Sequence, residues 1–201
     1  MHTVAANGAE IPAIGFGTWT LKGAECANLV AKAIEAGYRH IDTAAFYGNE
    51  EAVGQGLRDS GLDREEVFVT TKIWHSDLAD GALQKSLEDS LNRLGLDDVD
   101  LALIHWPSKT VPLAETIPAL NEVRDRGWTR HIGVSNFTVS HLAEATELSS
   151  AALACNQIEH HPLLAQEKVR AVCLSKGIAV TSYCPLARGA DLFSEPAIAA
   201  P

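Results

Sequence analysis

Long apolar runs are missing from this sequence, and no stretch approaches the roughly 20 residues that a helix needs to cross a bilayer. The N-terminus, Met1-His2-Thr3-Val4, lacks a basic segment followed by an apolar one, so no secretory signal is expected. Cysteine is sparse. Cys26, Cys155, Cys173 and Cys184 stand far apart without a C-x-x-C pair, which predicts reduced thiols in a cytoplasmic protein rather than a disulfide framework. Runs of like charge and Lys/Arg clusters are lacking too, and the net charge is −10. That balance argues against nucleic acid and membranes as partners, although one local pocket suffices for a phosphorylated small molecule. Gly15 and Gly17 form a G-x-G pair with no third glycine at the required spacing, so the dinucleotide fingerprint of a Rossmann fold is absent. A metal-ligand set is lacking as well: His160 and His161 are adjacent, and neighbouring residues rarely ligate one ion.

What is present is a chain of 201 residues, 46% hydrophobic and 21% charged, long enough to bury the core of a soluble globular domain. Asn7-Gly8 between short apolar pieces predicts a small N-terminal hairpin. After it, strand-like and helix-like segments alternate. Strands are predicted over Ile14–Trp19, His40–Ala44, Val67–Thr71, Val99–His105, His131–Ser135, Ala154–Glu159 and Ile178–Tyr183. Between them fall helical stripes such as Cys26, Leu29, Val30, Ala33 and Ile34, or Leu83, Leu87, Leu91 and Leu94, with Gly37, Gly95 and Gly177 placed as stops and Asn49 as an N-cap. Regular alternation predicts an α/β fold with a parallel sheet, and the repeat length is that of a (β/α)8 TIM barrel. A barrel needs eight units, typically in about 250 residues. The expectation is one domain over 1–201, truncated after the seventh strand, with the eighth β/α unit and the C-terminal loop missing.

Polar residues collect at the predicted strand ends: Asp42, Lys72, His105, Ser135 with Asn136, Gln157 and Tyr183, joined by Tyr47 from the loop after the second strand. One strand-end Asp is an ordinary turn cap and one His beside an apolar strand an ordinary core residue. Several on one rim form a chemical unit, because barrel active sites lie at the carboxyl ends of the strands. A phenol is a poor acid at neutral pH, a nearby ammonium lowers its pKa, and a carboxylate paired to that ammonium holds it in place. Asp42, Lys72 and Tyr47 would make such a relay, with His105 orienting a carbonyl oxygen beside the phenol.

The motifs Gly37–Glu50 (GYRHIDTAAFYGNE), Thr71–Trp74, Leu103–Pro107, Gly133–Phe137 and Asn156–Glu159 resemble, in order and spacing, those of the aldo-keto reductases, within which they look nearest to the bacterial 2,5-diketo-D-gluconate reductases. The resemblance implies a (β/α)8 barrel that uses NADPH to reduce the aldehyde or ketone of a small-molecule substrate, and a monomer in the full-length form. It implies Tyr47, Asp42, Lys72 and His105 as the catalytic tetrad, with Tyr47 as proton donor. It places Thr18, Asp42, Ser135, Asn136, Gln157, Tyr183 and Leu186 at the cofactor, and Trp19, Tyr47, Trp74, His105 and Trp106 at the substrate. Two departures stand out. His160-His161-Pro162 replaces an aromatic-His-Pro, and the basic segment that grips the adenosine 2′-phosphate in the family has no counterpart, Arg188 being the only basic residue after Tyr183. A non-catalytic fragment or a binding module on the same scaffold is therefore the alternative reading. A phosphate-binding isomerase on such a barrel would need a Gly-rich phosphate loop near the end of the chain, which is absent.

Overall fold

The computed structural model describes residues 2–189 and 191–194. A hairpin comes first: β1 (Thr3–Ala6) pairs antiparallel with β2 (Ala9–Pro12), with Ala6 opposite Ala9. Asn7 and Gly8 carry φ of 45° and 87°, as the expected two-residue turn with both central residues left-handed demands. Ala9 and Ile11 of β2 pack on Leu101, Leu103, Ala154 and Cys155, so the hairpin covers one end of the main sheet.

That sheet has seven parallel strands in chain order: β3 (Phe16–Gly17), β4 (His40–Asp42), β5 (Phe68–Ile73), β6 (Val99–Ile104), β7 (Thr129–Ser135), β8 (Cys155–Glu159) and β9 (Ala179–Tyr183). Six helices separate them: α1 (Gly23–Glu35), α2 (Glu50–Asp59), α3 (Ala82–Leu94), α4 (Leu113–Asp125), α5 (Val139–Leu148) and α6 (Glu167–Ser175). The expected α/β barrel architecture is therefore present as a curled sheet, and among the described residues β3 and β9 each have a single neighbour. Strand β6 is buried at every position, as a central parallel strand must be. The leucines read as one stripe, Leu83, Leu87, Leu91 and Leu94, all enter the core from α3. Gly95 ends that helix at φ 69°, the left-handed C-cap that glycine accommodates without strain.

Two expectations shift. The first strand shrinks from Ile14–Trp19 to Phe16–Gly17 because Ile14 is exposed and Thr20 turns to φ 73°, although the Thr18 N–H still donates to the Asp42 carbonyl. Asn49 does precede α2, but its side chain makes no cap. Its Nδ2 donates instead to the carbonyls of Thr18 and Leu21, and its Oδ1 accepts from Thr43 Oγ1.

Helices α2 and α3 meet at a glycine. A Cβ added at Gly54 would lie 2.0 Å from the carbonyl oxygen of Leu94, which is backbone and cannot rotate away. Gly54→Ala is therefore expected to lower unfolding free energy by about 1–3 kcal/mol, the range for overpacking a filled interior. Urea denaturation measures this, and an unchanged midpoint would contradict the close approach.

Candidate active site

The ends of β4, β5, β6, β7, β8 and β9 converge on a cavity of about 980 Å³. Asp42 closes β4, and a 3₁₀ turn over Ala45–Tyr47, stopped by left-handed Gly48, swings Tyr47 back over the strand ends. Lys72 lies one residue from the end of β5 and is fully buried. Its Nζ donates to Asp42 Oδ1 at 2.5 Å and to the Thr43 carbonyl at 2.9 Å, and lies 3.3 Å from the Tyr47 hydroxyl. Gln157 Nε2 donates to the other carboxylate oxygen of Asp42 at 2.7 Å. His105 follows β6 directly, with its backbone N–H on the Ile73 carbonyl and its ring edge-on to Tyr47, centroids 5.6 Å apart. The tetrad expected from the sequence is thus one contiguous group.

Burial sets its electrostatics. It pulls the Lys72 ammonium downward, but Asp42 and then Tyr47 push harder the other way, so the net displacement is upward and Lys72 stays charged. For Tyr47 burial wins and the phenol is raised above its usual value, against the downward pull of Lys72. This corrects the sequence expectation of a lowered phenol: the ammonium is in place, but removal from water counts for more. His105 is held down to about 4, first by burial and then by Lys72. Its imidazole is neutral at neutral pH.

That displacement predicts a pH dependence of stability. Between the ordinary histidine value of 6.5 and about 4, the unfolded chain takes up a proton that folded His105 refuses. Stability from this group is thus complete above that window and lost as pH falls through it. His40, also held down by burial, acts in the same direction. Urea unfolding near neutrality and at about pH 5 should show a smaller difference for His105→Gln than for the natural chain; equal differences would contradict a neutral buried imidazole.

The remaining expected residues divide. Ser135 ends β7 and donates from Oγ to the Gln157 carbonyl at 2.8 Å. Asn136 adopts φ 62°, which Asn tolerates better than most residues, and donates from Nδ2 to the His105 carbonyl and to Ser135 Oγ. Tyr183 donates from its hydroxyl to Asn136 Oδ1 at 2.9 Å. All three border the cavity with Gln157, as do Trp19, Trp74 and Trp106. Thr18 and Leu186 do not. Thr18 is fully buried behind Asp42, its Oγ1 on the Asp42 carbonyl, whereas Leu186 is exposed and outside the lining. His160 bonds Ser182 and His161 lies 3.4 Å from Glu159, and among the described residues no group of three metal-ligating side chains occurs.

Phe46 lies inside the Gly37–Glu50 motif but carries no role there. Its ring stacks on Trp74 with centroids 3.9 Å apart and planes 12° apart, and both rings meet His105 edge-on. Its position before Tyr47 was the only available signal. Arg188, whose guanidinium lies 5.1 Å from the centre of the Trp19 ring, is the only Lys or Arg among the described residues that borders the cavity.

Residues 13–193 match the model of the Aldo/keto reductase family. The chain is 46% identical over 186 residues to the 9,11-endoperoxide prostaglandin H2 reductase of Trypanosoma cruzi, covering 92% of this chain and 65% of that protein. Among solved structures, a chain provisionally named 2,5-diketo-D-gluconic acid reductase B superimposes with TM-score 0.94 at 47% identity, over 98% of this chain and 69% of that one. An aldo-keto reductase of Bombyx mori in complex with NADP superimposes with TM-score 0.85 at 39% identity, over 90% and 66% respectively. The present chain thus spans about two thirds of the length of these relatives. The family model matches nearly the whole chain and the backbone superimposes closely on these structures, and the chain belongs to the aldo/keto reductase family.

Proposed function

We propose that this chain carries the active site of an NADPH-dependent reductase that converts a small aldehyde or ketone to an alcohol, with Tyr47 as the proton donor. The observation that carries the reading is the Tyr47 hydroxyl 3.3 Å from a fully buried Lys72 ammonium, itself paired with Asp42, at the wall of a cavity. Family membership supports an oxidoreductase.

The residues fit a nicotinamide. Ser135, Asn136 and Gln157 present a hydroxyl and two amides on one wall, donor and acceptor types that suit a carboxamide, and Tyr183 lies beside them. When bound, the nicotinamide supplies the hydride. The chain's own groups do the rest. Trp19, Trp74, Trp106 and Phe46 give the cavity an apolar, aromatic wall against which a small carbonyl compound can pack. His105 Nδ1 is buried without a hydrogen-bond partner. A bare lone pair there costs less than an unmet N–H, so the neutral ring carries its proton on Nε2 and donates to the carbonyl oxygen. That oxygen then lies beside the Tyr47 hydroxyl. As negative charge grows on it, the phenol gives up its proton, and Lys72 stabilises the phenolate left behind.

Substrates of the size of methylglyoxal or 2,5-diketo-D-gluconate suit such a site. Titration with NADPH tests the cofactor assignment: saturable quenching of tryptophan fluorescence is expected, since Trp19, Trp74 and Trp106 border the cavity. Absence of quenching at millimolar NADPH would contradict it.

A further inference from the structure

Behind the tetrad, on the helix side of the sheet, lies a buried carboxylate that the proposed reaction does not use. Glu50 opens α2 and is 1% exposed. Its Oε1 accepts from Thr71 Oγ1 at 2.6 Å. Its Oε2 accepts from Arg93 Nε at 2.8 Å and lies 2.6 Å from Arg93 Nη2. Three elements are joined by one side chain: α2, β5 and α3.

Their positions give the brace its meaning. Thr71 immediately precedes Lys72, and successive side chains on a strand point to opposite faces, so gripping Thr71 from outside the sheet fixes the point from which Lys72 reaches inward. At its other end Glu50 is two residues beyond Gly48, which closes the turn carrying Tyr47. The neighbouring Asn49 closes a second path to the same ammonium, since its Oδ1 accepts from Thr43 Oγ1 and the Thr43 carbonyl accepts from Lys72 Nζ. Asn49, just before α2, and Glu50, its first residue, therefore hold the lysine and the turn bearing the phenol in a common frame.

We propose that Glu50 is a positioning residue which, through Thr71 and Arg93, holds the Lys72 ammonium against the Tyr47 hydroxyl. It rests on the reading of Tyr47 as proton donor and adds to it the group that sets the donor's distance from its stabilising charge. Surface carboxylates at helix starts are common, but a fully buried one with a strand threonine and an arginine from another helix as partners is costly unless every oxygen is satisfied, as here. Misplacement of a reacting group by about 1 Å costs on the order of a hundredfold in rate.

The test uses two near-isosteric variants, Glu50→Gln and Thr71→Val, with Thr71→Ser as the conservative rescue. The chain has three tyrosines, Tyr38, Tyr47 and Tyr183, so carbon-13 labelling of their Cζ atoms gives few resonances, and Tyr47→Phe assigns the relevant one. Expected in Glu50→Gln and Thr71→Val are a displaced Tyr47 resonance with Tyr38 and Tyr183 unmoved, a kcat about ten- to a hundredfold lower, and an unchanged NADPH affinity. Thr71→Ser should restore the resonance and the rate. A Tyr47 resonance and kcat that stay put in both variants, with only the melting temperature lowered, would overturn the proposal and leave Glu50 a packing residue. A displaced resonance in a chain that reduces no carbonyl compound would sustain the positioning role and refute the functional reading instead.

Discussion

Tyr47→Phe is expected to lower carbonyl reduction by about a hundred- to ten-thousandfold, the range that general acid catalysis supplies, while NADPH affinity and stability stay close to those of the natural chain. The substitution removes one oxygen. Lys72 keeps its bonds to Asp42 and to the Thr43 carbonyl, so no buried charge is stranded, and the ring still meets His105 edge-on. What disappears is the phenol hydroxyl that lies 3.3 Å from Lys72 Nζ. The same geometry fixes the pH profile of the natural chain. Because burial raises the phenol above its ordinary value of 10.0, Tyr47 stays protonated through neutrality, and carbonyl reduction is expected to decline only at strongly alkaline pH. Steady-state kinetics of both chains across pH check this. Turnover by Tyr47→Phe comparable to that of the natural chain would remove Tyr47 from the reaction.

Lys72→Met should cost both turnover and stability, and the two losses can be separated. The ammonium is fully buried and is the partner of Asp42 Oδ1. Removing one member of a buried pair costs about 3–5 kcal/mol because the other is left uncompensated. Asp42 keeps the Gln157 amide on its second oxygen and is partly exposed, so the low end of that range is expected. Adding Asp42→Asn to Lys72→Met removes the stranded charge and should recover most of the lost stability. It should recover no turnover, because the phenolate still lacks its cation. Recovery of rate in the double variant would show that Lys72 acts only by holding the fold.

Both predictions rest on residues that were legible before any fold was known, for a physical reason. The parallel sheet announces itself through β-branched and aliphatic runs separated by helical stripes and glycine stops, and the barrel rule then assigns each polar residue at a strand's carboxyl end to one mouth. Asp42, Lys72, His105, Ser135, Gln157 and Tyr183 all followed from that reasoning. What escaped it depends on the path of loops and on desolvation. Phe46 reaches Trp74 only because the 3₁₀ turn after β4 folds back. Asn49 looked like a cap, yet Thr18, Leu21 and Thr43 compete successfully for its side chain. Thr18 is fully buried with its Oγ1 on the Asp42 carbonyl, a placement that no sequence pattern announces. The upward displacement of the Tyr47 phenol is invisible in a sequence, which shows which charge is near but not how much water is gone. Glu50 was legible as a favourable residue for a first helical turn, whereas its complete burial between β5 and α3 required the fold.

The decisive experiment is a single turnover of the purified chain with methylglyoxal and NADPH carrying two deuterium atoms at nicotinamide C4, analysed by mass spectrometry of the alcohol formed. Direct hydride delivery at this site predicts one deuterium on the new carbinol carbon with the natural chain and almost none formed with Tyr47→Phe in the same time. Alcohol without deuterium, or no alcohol at saturating cofactor, would contradict it.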